Sequence, residues 1–149
     1  MSGSIADNAG RASGVIAAAG GGGKLLAYLP TTSAVTLAGQ VSSTSSSYAD
    51  VSGASVTITP SSASSKILVT VNAAINNSST GHSTFVQLVR DSTAIGNGTA
   101  VSSSIACFGH FEGSAGSSGS WASNCSLTYI DDPGTDSAVT YKIQMRQNG

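Results

Sequence analysis

Side chains able to do chemistry are few in this 149-residue protein. It has one glutamate, Glu112, and two histidines, His82 and His110. A hydrolytic triad needs an exposed nucleophile beside a base that a carboxylate holds in place. With 29 serines, one lying near a histidine carries no information. No Gly-x-Ser-x-Gly elbow sits between a strand and a helix. His110 falls between Phe108 and Glu112 in strand phase and reads as a surface or interface histidine, and His82 reads the same way. Cys107, His110 and Cys125 match no zinc spacing and lack a fourth ligand. Asp131, Asp132 and Asp136 surround Pro133-Gly134. Their spacing is not the helix-loop-helix calcium loop, so they read as an Asp-rich turn, with cation binding left open. Gly20–Gly23 precedes Lys24, but no strand comes before it and no helix follows, so it is not a phosphate loop. A glycan hydrolase would need two close carboxylates in a cleft, whereas most of the carboxylates fall in turns. No catalytic, metal or cofactor residue is assigned, and the expectation is a non-enzyme.

The elements that would position these groups are strands. Leu25, Leu26, Tyr28 and Leu29 form a short apolar run closed by Pro30. Val35, Leu37, Gly39 and Val41 share one alternating phase. In Ala54–Thr59 small or apolar residues alternate with hydroxyls until Pro60 stops the strand. After a Ser-rich loop, Ile67, Val69, Val71, Ala73 and Ile75 point one way. Thr84–Arg90 is apolar on both faces, with Phe85 and Val89 on one and Val86 and Leu88 on the other. Such a strand is expected to be covered by the core on one side and a partner on the other. Thr93–Ile95 lies between turn residues. Ile105, Cys107, Gly109 and Phe111 alternate, as do Trp121, Ser123, Cys125, Leu127 and Tyr129. The last strand puts Tyr141, Ile143 and Met145 inward and Lys142, Gln144 and Arg146 outward. The one helix candidate, Ala12–Ala19, is interrupted by Gly14 and ended by four glycines.

About eight to ten short strands with Ser/Gly turns predict an all-β fold, an antiparallel, jelly-roll-like β-sandwich over residues 24–149. Its predicted core is Val56, Ile58, Ile67, Val69, Val71, Trp121, Leu127, Tyr141, Ile143 and Met145. The cysteines share their phase with apolar neighbours, which favours reduced core thiols; a disulfide across paired strands is the alternative. Residues 1–23, rich in Ser, Ala and Gly, predict an extended N-terminal arm. It is either disordered alone or ordered against a partner through Ile5, Val15 and Ile16.

Composition narrows the classes. Serine, threonine and glycine number 29, 14 and 18, about two residues in five. Charged residues are 9%, too few for the outer face of a coiled coil, while 40% hydrophobic content argues against charge-driven disorder. The net charge of −1 lacks the basic footprint of nucleic-acid binding. No apolar run is long enough for a membrane span. The opening Met1-Ser2-Gly3-Ser4 has no charged or apolar signal region, so synthesis in a reducing cytoplasm is expected.

Three stretches carry a family resemblance: Tyr48–Val69, with its Ser-rich turn leading into Ser65-Lys66-Ile67-Leu68-Val69; Leu88–Gly96; and Tyr129–Ile143, with Asp132-Pro133 before the Tyr-containing last strand. They resemble virion structural proteins of tailed bacteriophages of cyanobacterial and marine hosts, over roughly Tyr48 to Arg146. The resemblance implies a trimeric jelly roll on the virion surface and no catalytic residues. The expected function is a capsid decoration, or cement, protein that bridges major capsid protein subunits on the outside of the head. The alternative is a tail-fibre or receptor-binding tail component that contacts other tail proteins or a host surface glycan. A fibre usually continues into a long shaft, and this sequence ends just after its last strand, which favours cement. Few Lys or Glu guard the strand edges. With the two-faced strand, this predicts a homotrimer whose interface includes Phe85, Val86 and Leu88.

Overall fold

The computed structural model describes residues 35, 37, 39–77, 81–98, 106–112 and 121–148, all within one compact unit. The arm 1–23, its anchors Ile5, Val15 and Ile16, and the run from Lys24 to Pro30 lie outside the described residues. The described part is all-β and antiparallel. Its strands are β1 (Ala49–Ile58), β2 (Ile67–Asn77), β3 (Ser83–Arg90), β4 (Thr93–Ile95), β5 (Gly109–Glu112), β6 (Trp121–Asp131) and β7 (Val139–Asn148).

The pairing is nested. First and last strands pair, β1 with β7; second and second-last pair, β2 with β6; and β3 takes β5. The central pair β7–β3 then closes the larger sheet in the order β1-β7-β3, with β4 and β5 sharing the far edge of β3. The β2–β6 pair forms the second layer, with register running from Ile67 opposite Asp131 to Asn77 opposite Trp121. Nested pairs alternating between two layers are the wrapping order of a jelly roll, so the predicted sandwich is the observed architecture.

Period-two patterning explains the layers. Alternate residues of a strand face opposite ways, and Ile67, Val69 and Val71 of β2 and Leu127 and Tyr129 of β6 pack against Leu88, Val139 and Tyr141 of the larger sheet. Val56, Ile58, Ile95, Phe108 and Ile143 complete that cluster. Tyr141 is as deep as expected, but the other deepest residues lie outside the predicted core. Leu88, Val89, Val139 and Tyr141 are 1%, 2%, 4% and 3% exposed, while Val56, Ile58, Ile67, Val69, Val71 and Leu127 of the predicted core are only partly buried. The reason is width. β3 and β7 lie mid-sheet, whereas among the described residues β2 and β6 form a layer of two strands. Met145 is half-buried and stands outside the central cluster. The Trp121 side chain lies outside the described residues.

Two strand readings are corrected. Val35 and Leu37 are 48% and 42% exposed, and 39–48 is irregular backbone, so no strand forms there among the described residues. Cys107 precedes β5 rather than lying in it. β1 also starts earlier than its alternation suggests. Its register shifts between Asp50 and Ser55, where Gly53 takes φ +79°, a left-handed conformation that glycine adopts without steric cost.

Candidate functional site

The potentially reactive groups are mostly committed to one another. Arg90 ends β3 and points into the sandwich. Its Nη1 donates to both oxygens of Asp131, at 2.9 and 2.8 Å, and to the backbone carbonyl of Asp132 at 3.2 Å. The Tyr141 hydroxyl donates to Asp131 Oδ2 at 2.6 Å. Arg90 and Tyr141 belong to the larger sheet and Asp131 to the smaller, so the cluster ties the two layers at one end. The hydrogen bond to Asp131 raises the Arg90 pKa above its ordinary value. Burial, reinforced by the bond to Asp131, pushes the Tyr141 phenol up as well.

Asp131 corrects the expectation of an Asp-rich turn. It is the last residue of β6 and 3% exposed. The signal is present in the inward phase, which runs 121, 123, 125, 127, 129 and lands on 131. Asp132 is paired with Lys66 across the surface, and this contact holds its carboxyl below the usual range. Arg90 and Lys66 thus take the carboxylates that a cation would need. No cluster of three or more His, Cys, Asp or Glu converges among the described residues.

The outward face of the larger sheet carries a second network. Gln87 Nε2 donates to Gln144 Oε1 at 2.7 Å, Gln144 Nε2 to Asp50 Oδ1 at 2.7 Å, and Lys142 Nζ to Asp50 Oδ2 at 2.9 Å. These bonds, from Gln144 first and Lys142 second, lower the Asp50 pKa. One row along, side chains from successive strands stack. Phe85 and His110 lie ring on ring, 4.5 Å apart and 10° from parallel. The Arg146 guanidinium stands over both Tyr48 and Phe85, 5.9 and 5.8 Å from the ring centroids. Tyr48 Oη donates to the Ala106 carbonyl at 3.1 Å, and burial pushes its pKa up to about 12.

The sequence-predicted residues fall as follows. His110 and Glu112 are exposed, and no hydrogen bond joins them among the described residues. His82 is half-buried, with its backbone carbonyl accepting from Asn77 Nδ2 at 2.7 Å. Cys107 and Cys125 are unbridged, half-buried thiols whose pKa values burial raises. Cys125 packs against β5, where a Cβ at Gly109 would lie 2.8 Å from its sulfur. Phe85, Val86 and Leu88, the residues expected at a trimer interface, are already 8%, 5% and 1% exposed within a single protomer, so they belong to its own interior. Both faces of β3 are buried within a single protomer, where the sequence predicts a partner on one of them.

Among the described residues, the outward face of β2–β6 is open. Leu68, Thr70, Asn72, Ala74 and Asn76 stand opposite Ile130, Thr128, Ser126, Asn124 and Ala122, and all ten are exposed. None is charged. Leu68 and Ile130, paired in register, are 64% and 65% exposed. A shallow depression on this face is lined by Asn72, Ala73, Ala74, Asn124, Cys125 and Ser126. No family model, no curated protein and no solved structure matches this sequence.

Proposed function

We propose that this protein is a non-enzymatic virion structural protein, a decoration or cement protein that works as a homotrimer on the outer surface of a phage head and bridges capsid subunits. The observation that carries the reading is the β2–β6 layer. Its two long strands present an uncharged outward face, and among the described residues neither strand has a neighbour on its other edge. Isolated soluble domains guard such edges with lysine, proline or bulges. Asn, Thr, Ser and Ala instead suit a surface that spends its life against other protein. The resemblance of Tyr48–Val69, Leu88–Gly96 and Tyr129–Ile143 to phage virion proteins supplies the setting, and the paired state of the buried charges favours a structural role.

In this reading residues 1–23 are the tether. Ordering them costs ~1–2 kcal/mol per residue. Burying Ile5, Val15 and Ile16 returns only ~1.5–3 kcal/mol each. The arm therefore holds only where backbone pairing and three arms per trimer add to it. Deletion of residues 2–22 tests this. The truncated protein is expected to remain a soluble trimer and to lose binding to empty heads, measured by co-sedimentation. Undiminished decoration of heads, or a location on tails alone, overturns the tethering role and favours the tail-component alternative.

A further inference from the structure

We propose that Arg146 is the recognition point for a carboxylate on a partner protein. The inference rests on the reading of the protein as an assembly component and names the chemistry of one contact. Three described cations have carboxylate partners: Lys66 with Asp132, Arg90 with Asp131, and Lys142 with Asp50. Arg146 has none among the described residues. Its side chain is nonetheless held in place. β7 sets it on the outward face, in register with Phe85 of β3. The guanidinium carbon stands within 6 Å of the Tyr48 and Phe85 ring centroids, at 5.9 and 5.8 Å. At that range the ring quadrupole attracts the cation. His110 backs Phe85 on the neighbouring strand, and the Ala106 carbonyl anchors Tyr48.

The hydrogen-bonding state says what is missing. Arg146 Nε is buried and without a partner. No hydrogen bond from the described residues engages its terminal nitrogens. The result is a planar fork, fixed by aromatic contacts and lacking its anion. A fork of that shape matches a carboxylate through two parallel hydrogen bonds, and its rigidity lowers the ordering cost of making them. The surroundings select the source. The adjacent network, Lys142–Asp50–Gln144–Gln87, is satisfied internally, with its one cation paired to its one carboxylate. An acidic sugar would want an exposed aromatic face to stack on, but Phe85 is buried and engaged by Arg146 and His110. A single Asp or Glu side group, or the terminal carboxylate of a polypeptide, fits what remains.

The test uses the full-length protein and the His110 ring resonances as reporter. Glutamate blocked at both termini is titrated against wild type and Arg146→Lys, with blocked glutamine and glucuronate as comparisons. Blocked glutamate is expected to shift the reporter saturably and blocked glutamine to leave it unmoved. Arg146→Lys keeps the charge but loses the fork, and its affinity is expected to fall about tenfold. Equal response to glutamate and glutamine, or an unchanged affinity in Arg146→Lys of native thermal stability, overturns the proposal. Tighter binding of glucuronate overturns the choice of a protein carboxylate. Binding to empty heads separates the two levels. If wild type binds and Arg146→Lys binds equally well, the carboxylate inference fails and the assembly reading stands. If wild type binds no heads, the assembly reading fails and the titration alone decides the inference.

Discussion

At the scale of single residues, the densest chemistry is Asp131, where one buried carboxylate receives Arg90 and Tyr141 from the opposite layer. Removing one partner of a buried charge pair leaves the other uncompensated. Asp131→Ala is therefore expected to destabilise the fold by about 2–4 kcal/mol, read from the shift of a urea unfolding curve, because it strands both a guanidinium and a phenol. Arg90 keeps some solvent contact, with its side chain 23% exposed, which keeps the loss below that of a fully enclosed pair. The tyrosines set the alkaline limit. The Tyr48 pKa rises from 10.0 to about 12 on folding through burial. A raised pKa means that the folded state holds the proton more tightly. Its contribution is thus whole below pH 10 and is lost as pH climbs towards 12. Tyr141 moves the same way. The melting temperature should accordingly begin to fall near pH 10, and Tyr48→Phe should flatten part of that fall. A melting temperature independent of pH across this window would contradict the assignment.

At the scale of elements, the sandwich is closed by contacts that alternation alone does not specify. β5 passes β6 so closely that a Cβ on Gly109 would meet Cys125 Sγ at 2.8 Å, Cys125 Cβ at 3.0 Å and Ile75 Cδ1 at 3.2 Å. Gly109→Ala is expected to cost about 1–3 kcal/mol by overpacking, checked by thermal unfolding, with Gly109→Ala/Cys125→Ala recovering most of it. A neutral effect would mean that β5 sits further from β6. Strand identity is legible in three of the segments with a clean period. The alternations of Ile67–Ile75, of Cys125–Tyr129 and of Tyr141–Ile143 reappear as inward sets in β2, β6 and β7. Val35–Val41 has the same period, yet its described residues form no strand. A pattern of side chains states a preference; a ladder needs a neighbour.

At the scale of the whole molecule, the proposed homotrimer predicts a sedimentation-equilibrium mass of three times 14.6 kDa, independent of concentration in the micromolar range. A monomer at those concentrations would remove the trimer from the proposal. Phe85, Val86 and Leu88 are enclosed within the protomer, so the proposed trimer would draw on other surfaces. That reassignment marks where sequence reading stops. By itself the sequence determined the all-β class, the strands with clean alternation, the turns at proline and glycine, and the scarcity of reactive groups. These are local properties, set by side-chain period, backbone conformational preference and composition. Only the tertiary structure decided that β1 lies beside β7 and β2 beside β6. It also turned Asp131 inward to Arg90 and Tyr141, and left Arg146 flanked by rings without a carboxylate among the described residues. Those outcomes depend on which distant segments share a sheet, and burial and charge pairing are properties of neighbours in space that no single strand encodes.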